Sequence, residues 1–229
     1  MGDRQPPSRL QNLCITIFYL IPTRQVRPFV PQPLKISEVA PGYTVGGLYA
    51  ARYGKGSLGS MSEFGVLPAY VRYGDKKGFF MHHFCADHET PRGGAKNVWG
   101  IELGSAGFAW EMGEKWIGLE LSSGGETVIK LKIKPIINEM PFSASFPFLC
   151  IKGNNVVFFK NQYASNIGLS SSKVTIPDES PLHGFPLGIK LLSTFWDASN
   201  IIVKEPEYVY ETVLKGADKV FGSPIGKQM

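Results

Sequence analysis

A glycine-rich window between Glu89 and Gly107 contains the charged residues that are best placed for chemistry. It reads ETPRGGAKNVWGIELGSAG, with five glycines and with Arg92, Lys96 and Glu102 among them. Glycine allows backbone to pass close to a ligand. A carboxylate beside cations can exchange protons or stabilise negative charge on oxygen. The window is therefore a candidate site, and the alternative is that Lys96 and Glu102 simply pair with each other.

The run HHFCADHE at 82–89 supplies two candidate proton donors, His82 and His83. On a strand, alternate side chains share a face, so His83, Cys85 and Asp87 would point the same way. Their spacing matches no standard zinc motif, and structural zinc sites need four ligands. We predict no metal site here.

Signatures of several other enzyme classes are missing. The chain has no G-x-S-x-G turn and no glycine-rich phosphate loop of the Walker type. No cofactor is implied, and catalysis would depend on side chains alone.

Strands predominate among the elements that must position these residues. Ile129, Leu131 and Ile133 alternate with three lysines, the period-2 pattern of a strand with one wet face. A short helix is predicted after Pro22, with Thr23 as its N-cap. Gly46 and Gly47 predict a bulge or a close backbone approach within a strand. Further strands are predicted at 13–20, 43–53, 66–73, 79–86, 107–112, 115–121, 128–134, 156–163 and 200–212, and 187–196 is left as strand or helix. The fold class is mainly β (α+β), antiparallel, with few short helices.

Composition excludes several classes of partner. The net charge is +5, but the lysines are scattered, so we predict no nucleic-acid binding. The apolar run at 13–22 is too short to span a bilayer and lacks a cleavage site, so no membrane association is expected. Three widely spaced cysteines indicate a reducing compartment, and we expect a cytoplasmic protein. We predict a flexible arm at 1–9, a single domain at 10–215 and a tail at 216–229.

Four short runs, in order and with similar spacing, resemble segments of the acetoacetate decarboxylase family. They are VRPFVPQPL at 26–34, SLGSMSEFG at 57–65, MHHF at 81–84 and DHE at 87–89. The glycine-rich window then falls on the family's catalytic loop. The resemblance covers roughly residues 10–135. It implies a mostly antiparallel β fold of cone-like barrels around a pocket, a buried glutamate at Glu63, and a homo-oligomer.

The departures from the family pattern bear on the reaction. Family decarboxylases carry two adjacent lysines, one of which forms a Schiff base with the ketone. The matching positions here are Ile101 and Glu102, and Asn12 is closest to the place of a family arginine. The amine for imine chemistry is therefore missing from its usual place, while Glu63 remains.

The resemblance implies that Glu63 and Glu102 share an apolar cavity, where burial and mutual repulsion would raise a carboxyl pKa. We therefore expect an enzyme that performs acid–base chemistry on an apolar carbonyl-containing metabolite: elimination, isomerisation or cyclisation in secondary metabolism. Lys96, Arg92 or a histidine would stabilise the developing oxyanion. Substrate contacts are expected from Arg92 and from four aromatic residues, Trp99, Tyr70, Phe79 and Trp110. Two alternatives stay open: a Schiff-base β-keto acid decarboxylase using Lys96, and a non-catalytic protein that binds a hydrophobic ligand.

Overall fold

Strands make up most of the chain, as the fold class predicted. The computed structural model describes residues 12–54, 60–87, 103–197 and 201–209. Within these ranges there is one turn of α-helix, α1 (Thr23–Val26), followed by a 3₁₀ turn at Arg27–Phe29. No helix in these ranges is long and apolar enough to cross a bilayer. The strands are β1 (Leu13–Pro22), β2 (Lys35–Ile36), β3 (Tyr43–Tyr53), β4 (Met61–Leu67), β5 (Tyr70–Tyr73), β6 (Lys76–Phe80), β7 (His82–Ala86), β8 (Leu103–Ser105), β9 (Gly107–Gly113), β10 (Trp116–Ser123), β11 (Glu126–Lys152), β12 (Asn155–Thr175), β13 (Ile189–Asp197), β14 (Ile201–Val203) and β15 (Glu207–Val209).

Two predicted strands are each divided in two. The segment 66–73 contains Pro68, which has no N–H to donate, and the chain forms β4 before it and β5 after it. The segment 79–86 divides at Met81, whose N–H bonds to Leu149 O at 3.3 Å. This division lets the chain leave β6, which pairs with β5 and β11, and join β4 as β7. The segment at 187–196, which the pattern left undecided, forms β13.

The short helix begins as predicted, but its N-cap was predicted wrongly. Pro22 occupies the N-cap position, and no side chain caps the helix. Thr23 is the first helical residue, and its hydroxyl donates to Gly42 O at 3.3 Å instead. The close backbone approach at Gly46 is confirmed, since a Cβ there would lie 2.5 Å from Pro68 O.

The strand β11 runs far beyond the predicted 128–134 and forms a long hairpin with β12. Three prolines lie in the extension, at 135, 141 and 147. At these positions β11 pairs with β12 alone. Its pairing with β10 ends at Ile133, and its pairing with β6 begins at Phe148. A proline is tolerated where one edge of the strand has no partner. The alternation of Ile129, Leu131 and Ile133 is confirmed: all three are buried.

One large sheet curls around an aromatic interior. The strand order is β2-β5-β6-β11-β12-β13-β1-β3-β4-β7-β8, and most pairings are antiparallel. Phe18 of β1 nevertheless contacts Phe79 of β6, with ring centroids 5.7 Å apart, although four steps of the order separate the two strands. This contact requires the sheet to bend back on itself. The opposite face of β1, β3 and β4 packs against β10 and the first part of β11. We call this larger cluster the aliphatic core, and its buried members include Ile15, Leu48, Val66, Ile117 and Ile129.

Candidate active site

Glu63 lies on β4 opposite the small side chain of Ala51 on β3. Tyr49 and Tyr53 are two residues to either side of Ala51, so they are the diagonal neighbours of Glu63 on the same face of the sheet. Diagonal pairs in a sheet are within reach of long side chains. The register thus surrounds a single carboxylate with two phenols and leaves space above the alanine between them.

Both phenols contact the same carboxylate oxygen. Tyr49 and Tyr53 each donate to Glu63 Oε1, and both O–O distances are 2.6 Å. The two tyrosine hydroxyls also contact each other. Of the described residues, none donates to the other oxygen, Oε2.

The pKa values of these three groups are shifted mainly by their removal from water. Removal from water raises the pKa of Glu63, and the hydrogen bonds from Tyr49 and Tyr53 lower it by a smaller amount. Desolvation and the Glu63 charge raise the pKa of both tyrosines. Yet all three side chains are only half-buried and retain accessible surface. The three groups are thus largely removed from water while each keeps some accessible surface.

A cluster of mostly aromatic side chains lies beside this carboxylate, and we call it the outer aromatic layer. It consists of the buried residues Cys14, Ala51, Tyr163 and Trp196 and the residues packed on them, which include Tyr49 and Tyr53. Tyr163 and Trp196 are in ring contact at 4.5 Å. Trp196 Nε1 donates to Thr16 Oγ1 at 3.2 Å, which anchors the ring to β1. The Glu63 charge contributes to the raised pKa values of Cys14 and Tyr163, although burial is the main cause for both.

Two of the predicted substrate-binding aromatics lie further along the same interior. Tyr70 and Phe79 contact each other edge to face at 5.2 Å. They belong to an inner aromatic layer, defined by the buried residues Leu67, Phe79, Phe148, Cys150 and Phe159 and those packed on them. Tyr49 and Phe146 are members of both layers. The interior is therefore continuous from Glu63 to Phe79.

The structure does not bring Trp110 or His82 to this interior. Trp110 packs on the aliphatic core, and its Nε1 donates to Ser62 Oγ, on the opposite face of β4 from Glu63. His82 contacts the rings of Phe29 and Phe80, which also belong to the aliphatic core. Their functional roles stay predictions that this geometry does not favour.

The neighbours of His82 in the predicted proton-donor run have structural contacts. Asp87 Oδ1 accepts from Ser62 N at 2.8 Å, and the Cys85 thiol lies against Phe64 O. The side chain of His83 lies outside the described residues. Across the part of the chain that the structure describes, no three His, Cys, Asp or Glu side chains group in a way that could hold a metal ion.

Four predicted site residues, Arg92, Lys96, Trp99 and Glu102, lie outside the described residues. The strands that flank their segment end beside the carboxylate: Ala86, near the end of β7, pairs with Glu63, and β8 pairs with β7 in parallel. The roles of these four residues remain predictions.

Sequence reasoning missed Tyr49 and Tyr53. Their spacing of four on a strand places both on one face, which the sequence shows. That this face is also the face of Glu63 follows only from the pairing of Ala51 with Glu63.

Together, a curled β-sheet and a desolvated carboxylate among aromatic side chains make Glu63 the centre of a candidate small-molecule site. The chain belongs to the acetoacetate decarboxylase family, whose model matches residues 1–165. This confirms the resemblance and extends it beyond the residues on which it was noticed. No curated protein sequence matches the chain.

Solved structures show the same fold across most of the chain. An acetoacetate decarboxylase structure matches with a TM-score of 0.73 at 16% identity, covering 91% of this chain and 92% of the other. The acetoacetate decarboxylase from Legionella pneumophila has a TM-score of 0.69 at 14% identity, covering 89% and 87% of the two chains. The enduracididine biosynthesis enzyme MppR has a TM-score of 0.63 at 12% identity, covering 88% and 86%. Relatives with this fold are thus enzymes, and they include one of a biosynthetic pathway.

Proposed function

We propose that the protein is an enzyme that moves protons on an apolar carbonyl compound, with Glu63 as the proton acceptor and donor. The single observation that carries the proposal is the Glu63 carboxylate, desolvated yet accessible, held by two phenols in an aromatic interior. A carboxyl whose pKa is raised toward neutrality is a stronger base than an ordinary one and is also a usable acid. The family's Schiff-base step is not required.

The arrangement of hydrogens supports a carboxyl that changes its protonation state. Three oxygen atoms, Glu63 Oε1 and the two phenol oxygens, contact one another. When Glu63 is ionised, only two hydroxyl hydrogens are available for these three contacts. A proton taken up by Oε2 adds a hydrogen outside these contacts and leaves both phenols donating to Oε1. The cluster therefore accommodates both the acid and its conjugate base without moving a strand.

The reaction begins with the α-proton of a bound ketone or aldehyde. Glu63 Oε2 takes this proton, the C–H electron pair forms the new C=C bond, and the carbonyl π pair moves to oxygen. Once Glu63 is neutral, it attracts the phenol hydrogens less strongly. Tyr49 or Tyr53 can then donate to the enolate oxygen, which is the group that most needs a donor. Return of the proton elsewhere gives isomerisation, and loss of a leaving group gives elimination.

Hydrogen–deuterium exchange at the α-carbon tests the proposal without knowledge of the natural substrate. The protein is incubated with butan-2-one or 4-phenylbutan-2-one in deuterated buffer, and loss of the α-proton signals is followed by NMR. We expect exchange above the buffer rate and a reduction of about a hundredfold or more in Glu63→Gln, the scale of general acid–base catalysis. Glu120→Gln, at an exposed glutamate paired with Lys130, is the matched control and should exchange like the wild type.

Borohydride treatment of the same mixtures separates the other possible functions. A covalent adduct on Lys96 would overturn the proposal in favour of an imine mechanism. Exchange at the wild-type rate in Glu63→Gln would also overturn it. A protein that binds both ketones but never exchanges their protons is a carrier, and the proposal would be abandoned.

A further inference from the structure

The inner aromatic layer has the composition of a binding chamber for an aromatic ring. It combines rings from strands on opposite sides of the curled sheet, and Phe79 lies at its centre. Phe79 contacts Phe18 at 5.7 Å, Tyr70 at 5.2 Å and Phe148 at 6.4 Å, with the first and third pairs tilted and the second edge to face. Phe148 stacks on Phe159 at 5.4 Å.

Several side chains of this layer keep accessible apolar surface. Phe18, Tyr70 and Met81 pack on its buried members but remain half-buried themselves. The same holds for Tyr49 and Phe146, which connect the layer to Glu63. Apolar surface that is left uncovered inside a protein is the surface that an apolar ligand covers.

The chemistry of the lining favours an aryl group over an aliphatic one. Most of the side chains that form this layer are aromatic, and burial raises the pKa of the Cys150 thiol among them to about 12, which keeps it neutral. Aromatic pairs in tilted or edge-to-face contact gain about 0.5–1.5 kcal/mol beyond the area they bury. Several ring faces and edges meet here, so an aromatic substituent would make such contacts on more than one side.

We propose that the inner layer binds an aryl substituent of the substrate while its carbonyl lies at Glu63. The substrate class is thus a carbonyl compound whose aromatic ring is separated from the carbonyl by a short chain. This inference rests on the proposed function for the placement of the carbonyl, but the ring contacts of Phe18, Tyr70 and Phe79 in the chamber do not involve Glu63.

A matched pair of ketones tests the chamber by binding rather than by turnover. The dissociation constants of 4-phenylbutan-2-one and 4-cyclohexylbutan-2-one, which have the same carbon skeleton, are measured by calorimetry. The phenyl compound is expected to bind about two- to twelvefold more tightly, which corresponds to the extra aromatic contact. Phe79→Leu should remove this preference, and Phe108→Leu should keep it, since Phe108 packs on the aliphatic core.

Further measurements keep the outcomes distinct. Tyr70→Leu is a second variant for the case that Phe79→Leu unfolds, which thermal unfolding reveals. Equal or tighter binding of the cyclohexyl ketone to the wild type, or an aryl preference that survives both substitutions, overturns the chamber. Two measurements separate the two proposals: ketone binding to Glu63→Gln and proton exchange by the wild type. If Glu63→Gln keeps the aryl preference and the wild type exchanges no protons, the chamber is supported and the proposed function is refuted. Proton exchange with no aryl preference does the reverse.

Discussion

Replacing Tyr53 by phenylalanine should raise the pKa of Glu63. The substitution keeps the ring in the outer aromatic layer and removes one of the two hydroxyls that donate to Oε1 at 2.6 Å. Those hydroxyls lower the pKa of the carboxyl against the larger effect of desolvation. A hydrogen bond to a charged group stabilises it by about 1.5–3 kcal/mol. Because about 1.4 kcal/mol corresponds to one pKa unit, the loss is large enough to measure.

The carboxyl can be titrated directly. With ¹³C-labelled glutamate, the pH dependence of the Glu63 carboxyl shift is followed by NMR, and Glu63→Gln identifies the signal. We expect the midpoint to move upward in Tyr53→Phe and further in the double variant with Tyr49→Phe. The acid limb of the ketone exchange rate should move in the same direction. Tyr43→Phe, ten residues away on β3, is the control. A midpoint that stays in place or falls would show that the phenols do not stabilise the carboxylate.

Three further substitutions test the electrostatics and the packing. Burial raises the folded-state pKa of Glu63 above its ordinary value of 4.5, so between that pH and the raised pKa the folded wild type binds more protons than the unfolded chain and loses stability as pH rises. The unfolding free energy of Glu63→Gln relative to wild type should accordingly increase from about pH 4.5 upward, and parallel curves in pH-dependent denaturation would contradict this. Gly46→Ala should cost about 1–3 kcal/mol, because its Cβ would lie 2.5 and 2.6 Å from the backbone oxygens of Pro68 and Leu67; an unchanged urea midpoint would argue against that close approach. Ser180→Ala should cost about 1–3 kcal/mol, since buried Ser180 Oγ donates to Val128 O at 2.6 Å and accepts from Leu182 N; the same denaturation measurement checks this value.

Local sequence patterns were sufficient to predict a strand where its conformation depends on its own residues. The alternation around Ile129 predicted a strand with one buried face, and the structure has it. The strand at Tyr43–Tyr53 was predicted with its observed bounds, because this run lies between Pro41-Gly42 and Gly54 in the sequence. The glycines at 46 and 47 indicated a close approach because a strand interior has few other reasons to contain glycine.

Patterns failed where the reason for a conformation lies in another strand. The extension of β11 through three prolines depends on its having one partner instead of two over that stretch, which no local signal reports. Pro68 divides a predicted strand, whereas Pro141 lies within the observed strand β11, and the two prolines differ in their neighbouring strands.

The candidate site shows the same division. The amino-acid sequence alone predicted Glu63 as a site residue through a resemblance to the family, whose model matches the chain, and the same resemblance implied that Ile101 and Glu102 stand in the places of the usual lysines. Only the tertiary structure placed Tyr49 and Tyr53 around Glu63, because the β3–β4 register pairs Ala51 with it. A shift of one residue in that register would turn both phenols to the other face. The chemistry of the carboxylate is thus decided by a pairing between strands, which no single segment of the sequence contains.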